Sequence, residues 1–367
     1  MQQELLYQVA LTLVPNIGYV HARTLIQHFG CASAVLKAHR SELERIEGIG
    51  TVRAASITAF NAYREAEAEV AFLEKYKVRP LFITDPSYPQ RLLHCYDAPV
   101  LLYYKGTADL NASRIVAIVG TRNNTDYGKQ VTETLVKALS ELQVILISGL
   151  AYGIDGIAHK CALKHNIPTV GVVGHGLDQV YPAAHKGLAK DMLKEGGGLL
   201  TEYRSKTPPD KHNFPGRNRI VAGISDAVIL VETGIKGGSM ITAEIADSYN
   251  RDVFAVPGKI TDPKSEGCNY LIRSNKAMLL DDAETFLDAM GWKEKALVPR
   301  QRQTTLFVQL NADEQKIVAL LREKETMHID ELNLRSGLSN SAVAGAVLNL
   351  EMQGLIAGLP GRMYKLI

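Results

Sequence analysis

Ile115-Val116-Ala117-Ile118-Val119-Gly120-Thr121-Arg122-Asn123-Asn124 is the stretch that decides the fold. An unbroken apolar run, β-branched except for one alanine, reads as a strand buried on both faces; a glycine and polar residues end it, and a helical pattern follows from Tyr127 to Leu142. The same succession repeats outward along the chain. Strands are expected at Val144 to Ser148, Thr169 to Val173, Leu199 to Glu202, Ala227 to Glu232 and Val253 to Val256, with a short one near Ala277 to Leu280 and a further helix from Ser239 to Asn250. Strands alternating with amphipathic helices make an α/β, doubly wound, mostly parallel sheet of extended Rossmann-like type. In such sheets the loops at the strand C-termini gather at one edge, where ligands bind.

Around this core, three parts are expected: residues 1–63 as an N-terminal helical module, residues 64–292 as the core with a connecting region at 64–113, and residues 303–367 as a linker with a C-terminal domain. In the first part Val14-Pro15-Asn16-Ile17-Gly18 and Ile46-Glu47-Gly48-Ile49-Gly50 each lead into a helical pattern. They resemble tandem helix-hairpin-helix (SAM-like) turns, whose backbone amides can hold a phosphate. Asn16 stands where the first glycine belongs and the region carries no net positive charge, so packing or protein contact is the reading favoured over DNA contact. Pro80, Pro86, Pro89 and Pro99 break the connecting region into short apolar runs, with an expected added strand. Gln303 to Leu310 reads as a linker. Helices at Glu314 to Leu321, Ile329 to Leu334 and Ser339 to Gln353, followed by strands at Leu355 to Leu359 and Met363 to Ile367 around Pro360-Gly361, give a winged-helix pattern. Its third helix has no Lys or Arg, unlike helices that read bases in a groove, and a protein contact is expected of it.

Composition sets further bounds. The 367 residues carry a net charge of only +2, so any polyanion site is a local cluster and not a basic coat. Arg204, Lys206, Lys211, Arg217 and Arg219 against Asp210 make the strongest such cluster. Cys31, Cys95, Cys161 and Cys268 stand singly, which supports neither a zinc site nor a disulfide framework. No apolar run reaches membrane-spanning length and Met1 to Leu13 lacks a signal-peptide pattern, so a cytoplasmic location is expected.

The rim loops carry the chemistry. Gly120-Thr121-Arg122, Ser148-Gly149 and Lys236-Gly237-Gly238-Ser239 combine small residues before a helix start with positive charge, a setting for an anion. A mononucleotide, a dinucleotide phosphate and a DNA strand all meet that description. Neither the G-x-x-x-x-G-K-[ST] nor the G-x-G-x-x-G spacing is present, which disfavours ATP hydrolysis and hydride transfer. Asp155 and His159, four apart on a helix, are a possible acid–base pair but more often a structural one; Ser148 lies outside a nucleophile elbow. No metal or cofactor site is expected. Phe214-Pro215-Gly216-Arg217-Asn218-Arg219-Ile220 reads as a stacking ring, a rigid turn and a pair of guanidinium forks suited to an unpaired strand. The competing reading packs Phe214 inward and pairs the arginines with carboxylates.

In order and spacing, Val119 to Arg122, Ser148 to Asp155, Phe214 to Ile220 and Gly238-Ser239-Met240-Ile241-Thr242-Ala243 resemble the DNA-processing protein A (DprA/Smf) family over nearly the whole chain. The resemblance implies a non-catalytic protein that binds single-stranded DNA, dimerises through its Rossmann-like core, protects incoming DNA in natural transformation and loads the RecA recombinase. It implies backbone and phosphate contacts from Gly120, Thr121 and Arg122, and strand contacts from Phe214, Arg217, Asn218 and Arg219. Ser148, Gly149, Lys211, Lys236, Gly237, Gly238 and Ser239 extend the expected site by loop position and charge. The alternative is a nucleotide-processing N-glycosidic hydrolase of the lysine-decarboxylase-like Rossmann group, suggested by the Gly237-Gly238-Ser239 loop with Glu244.

Overall fold

The computed structural model describes residues 2–292, 310–324, 326–359 and 362–367, and the chain divides after residue 293 into two compact units. The first is built on a nine-stranded sheet. Its strands are β1 (Arg79–Phe82), β2 (Leu101–Gly106), β3 (Ile115–Val119), β4 (Ile145–Ser148), β5 (Thr169–Val172), β6 (Gly198–Thr201), β7 (Ala227–Leu230), β8 (Asp252–Ala255) and β9 (Met278–Leu279). They lie in the order β1-β2-β6-β5-β4-β3-β7-β8-β9, and all neighbours from β6 to β9 run parallel. The connecting region supplies two strands instead of one, β2 antiparallel to β6 and β1 antiparallel to β2, and they cap the β6 edge.

Alternation along β3 divides the core. Ile115, Ala117 and Val119 pack with the helices Asn213–Ile224 and Gly238–Ser248 and with the N-terminal helices, while Val116 and Ile118 pack with Asp126–Leu139 and Ile154–Lys164. Successive strands step to one side of β3 as far as β6, then the chain returns to place β7 on its other side. The loops after β3 and β7 therefore leave toward opposite faces, and a crevice opens between them at the carboxyl rim.

The N-terminal helices share this core. The guanidinium of Arg23 donates to the carbonyls of Leu93 and Cys95 at 2.8 and 2.7 Å, and Arg204 forms an ion pair with Glu65 at 2.6 Å. The Glu69 carboxylate accepts from the amide of Ser205.

One local expectation is overturned. Pro215-Gly216 is not a turn: Asn213–Ile224 is a continuous helix with Phe214 and Pro215 in its first turn. A proline there sacrifices an amide that has no intrahelical acceptor in any case. The change matters because residues two apart on a helix point to different sides. Arg217 and Arg219 are accordingly both buried, in separate places, and do not form a pair of exposed forks.

The second unit holds the helices Ala312–Glu323, Ile329–Ser336 and Asn340–Met352 and a three-stranded sheet in the order β10 (Met327–His328), β12 (Met363–Leu366), β11 (Ile356–Leu359), a winged-helix arrangement around its own core. The expected linker up to residue 309 and the Pro360-Gly361 turn lie outside the described residues. Among the described residues no helix is long and apolar enough to cross a membrane, and no cluster of His, Cys, Asp and Glu is arranged to hold a metal ion.

Candidate functional site

A cleft of about 400 Å³ opens at the crevice between the loops after β3 and β7. Its walls include Gly120, Thr121, Arg122, Gly149, Lys211, Phe214, Arg217, Asn218, Gly237, Gly238 and Ser239. The Thr121 loop is held from below. Its amide donates to the carbonyl of Glu232 at 2.7 Å, its carbonyl accepts from Ile154 at 3.2 Å, and the buried Glu232 carboxylate accepts from both the amide and the hydroxyl of Thr125. Gly153, at φ +74°, passes so close that a Cβ would lie 2.2 Å from the Thr121 carbonyl, so the β4 loop seats against the β3 loop only with glycine there.

Arg122 is exposed on this loop, with its guanidinium carbon 5.3 Å from the centroid of the Phe214 ring. Phe214 is half-buried. The guanidinium of Arg217 lies 6.0 Å from the same centroid, and the ring of Tyr181 stacks at 6.1 Å with planes 29° apart. On the opposite wall the helix Gly238–Ser248 begins at Gly237, with no side-chain cap. Its first amides have no acceptor within the helix, and Ser239, 7% exposed, has a hydroxyl without a hydrogen-bond partner. Cations, a ring and unsatisfied donors thus share one cleft, a combination able to hold a phosphodiester and stack a base.

Three of the expected contact residues are placed elsewhere, and a fourth has a different role. Ser148 is fully buried and its hydroxyl donates to the Ile118 carbonyl at 2.6 Å. Arg219 turns away from the cleft: it pairs with Glu202, donates to the Asp97 carbonyl and lies 4.3 Å from the Tyr19 centroid. Lys236 is exposed on the β7 loop but does not line the cleft. Arg217 lines it from beneath, yet one of its terminal nitrogens is committed to the carbonyls of Gly149 and Val172. Burial lowers the pKa of this guanidinium and the nearby Asp155 opposes the shift. With Arg204 ion-paired to Glu65 at the surface and Arg217 and Arg219 engaged in the interior, three of the five cations of the expected cluster from 204 to 219 have partners within the protein.

Two aromatic residues escaped the sequence reading. Tyr152 and Tyr181 are 48% and 43% exposed beside Phe214, on the loops after β4 and β5. An aromatic residue on a loop after a rim strand is the signal that marks them. Tyr181 is fixed by His175, whose Nε2 accepts from its backbone amide at 3.2 Å while Nδ1–H donates to the Gly176 carbonyl.

Asp155 and His159 do not pair. Asp155 accepts from the amides of Gly149 and Ala151, and burial raises its pKa against the pull of Arg217. Because the Thr169 hydroxyl donates to the Leu146 carbonyl, it accepts from Nδ1–H of His159 at 2.7 Å. Burial pushes the His159 pKa down to about 3. The folded protein therefore resists a proton that the unfolded chain accepts near pH 6.5, and stability that is full above that value falls as pH descends toward 3. By pH 5.5 the expected loss is about 1.4 kcal/mol. In urea titrations at pH 7.5 and 5.5, His159→Gln should flatten this dependence; an unchanged slope would remove the assignment.

Residues 79–291 match the family model described as DNA recombination-mediator protein A, residues 303–362 that of the DprA winged helix domain, and residues 8–70 a helix-hairpin-helix motif. The chain is 32% identical to Protein Smf of Synechocystis over 98% of both chains. It is similar to the X-ray structure of DNA processing protein A from Streptococcus pneumoniae, with a TM-score of 0.64 and 32% identity over 77% of this chain and 97% of that one. A second structure, of DNA processing protein A from Helicobacter pylori, gives a TM-score of 0.53 and 31% identity over 58% and 95% of the two chains; that work concerns the single-stranded DNA binding mode of the Helicobacter protein.

Proposed function

The chain belongs to the DNA recombination-mediator protein A family, and on that premise we propose that it binds single-stranded DNA in the rim cleft and delivers the strand to a RecA-type recombinase during uptake of DNA in natural transformation. One observation carries the reading. The Arg122 guanidinium, the Phe214 ring and the unpartnered Ser239 hydroxyl at a helix start all border one cleft. The strand is held by phosphate contacts on an exposed cation and on the helix-start amides, with bases stacked on Phe214 and its neighbouring tyrosines. The role is one of binding and protection, and no bond in the DNA is made or broken.

Dimerisation through the core is part of the proposal. β9 is an edge strand with Met278 and Leu279 43% and 45% exposed, the kind of apolar edge that a second copy covers. For the wing domain a protein partner is favoured: Leu334, Leu348 and Met352 are exposed on its second and third helices. The hydrolase alternative gains no support, since Glu244 is exposed and does not border the cleft. Release of free base from a nucleoside monophosphate would reinstate it.

The test is a competition between single-stranded and duplex DNA at several salt concentrations. Arg122→Ala should lower the salt slope by about 0.7 on single strands, the share of one neutralised phosphate. Removal of residues 300–367 should leave single-strand affinity within twofold. Duplex outcompeting single strand would overturn the proposal, and loss of most binding on truncation would move the site to the wing domain.

A further inference from the structure

Outside the rim cleft the first unit carries a second concave surface, about 740 Å³ in volume, between the helices Asp126–Leu139 and Ile154–Lys164. Lys129, Glu133 and Lys137 line it at intervals of four on one helix, and Lys160 and Lys164 at the same interval on the other. All four lysines are exposed. Among the described residues, no carboxylate lies within ion-pair distance of any of their ammonium groups. Four ammonium groups thus face one groove against a single carboxylate, in a protein whose overall charge is only +2. Such mutual repulsion is relieved by a polyanion.

The groove begins at Asn124. Asn124 is two residues beyond Arg122 on the same loop, so the two α-carbons are at most about 7 Å apart. From there Lys129 to Lys137 spans about 12 Å along the helix, leading away from the carboxyl rim across the face of the sheet. We propose that this lysine groove is the continuation of the single-strand path, holding by its phosphates the nucleotides that leave the cleft beside Arg122. The inference rests on the strand-binding reading of the cleft. It assigns these four lysines to strand length and salt dependence, and leaves base stacking to the cleft. A nucleic acid fits the groove better than an acidic protein, because the groove is continuous with a loop whose exposed guanidinium faces the cleft.

The experiment measures fluorescence anisotropy with oligothymidylates of roughly 6 and roughly 20 nucleotides. The full-length protein is compared with a variant carrying Lys129→Gln, Lys137→Gln, Lys160→Gln and Lys164→Gln together, whose thermal unfolding is measured in parallel. For the long strand the variant should bind at least tenfold more weakly, with a salt slope smaller by about 3. For the short strand it should bind as the wild type does. Unchanged long-strand affinity, an equal loss on both lengths, or a loss confined to duplex DNA would each overturn the inference. Failure of the wild type to bind the short strand, or its indifference to Arg122→Ala, would instead remove the reading of the cleft.

Discussion

Arg217→Ala is expected to lower folding stability by about 3 to 5 kcal/mol in urea titration, the range found when one member of a buried charged pair is removed. The side chain is 5% exposed and is a hub inside the rim. Its terminal nitrogen joins the carbonyls of Gly149 at the end of β4 and Val172 at the end of β5, and its charge balances Asp155, 6% exposed. The alanine variant leaves two carbonyls without their donor and a carboxylate in a low-dielectric site without its cation. Gly149 shows how tightly the group is enclosed, since a Cβ there would lie 2.5 Å from the Arg217 guanidinium and 2.6 Å from the Asp155 carboxylate. Adding Asp155→Asn should recover part of the loss by removing the stranded charge. A loss below about 1 kcal/mol would show that the guanidinium is not structural, and the phosphate-fork reading would return. Arg122→Ala, at an exposed loop position, should change stability by no more than about 0.5 kcal/mol. Weakened DNA binding in Arg217→Ala is therefore read against its stability, whereas in Arg122→Ala it reports the contact itself.

What the sequence disclosed and what it concealed follow from the range of the interactions. The strands from β3 to β8 announce themselves because burial on both faces requires apolar runs, a local signature. The glycine-rich rim loops are likewise legible, as each follows such a run. The fate of the arginines is not. Arg204 meets Glu65 across 139 positions of sequence, and Arg219 reaches Asp97 across 122. Counting charge along 204–219 therefore misses partners that lie outside the segment: the Glu65 carboxylate for Arg204, and the Glu202 carboxylate and the Asp97 carbonyl for Arg219. The helix from Asn213 is hidden for another reason: Pro-Gly favours a turn, and only the rule that a first helical turn tolerates proline allows the alternative. The aromatic cluster is hidden because Tyr152, Tyr181 and Phe214 come from three separate loops or helix starts, and only the sheet order brings them together.

Phe214→Ala should weaken single-strand binding by about 1 to 3 kcal/mol, roughly 5- to 150-fold, with the salt slope unchanged. The ring neutralises no phosphate, so its removal releases no counterion difference. It offers a face in a cleft where Arg122 and Tyr181 already hold it in place, so little ordering entropy is lost when a base stacks. Bulk and π-face are separable. Phe214→Leu fills most of the space without a ring and should lose nearly as much as alanine, while Phe214→Tyr should keep most of the affinity. Because the side chain is half-buried, unfolding of each variant is measured beside binding. Wild-type affinity in Phe214→Leu, with stability preserved, would show that the cleft needs only an apolar surface there and that stacking is not how the strand is held.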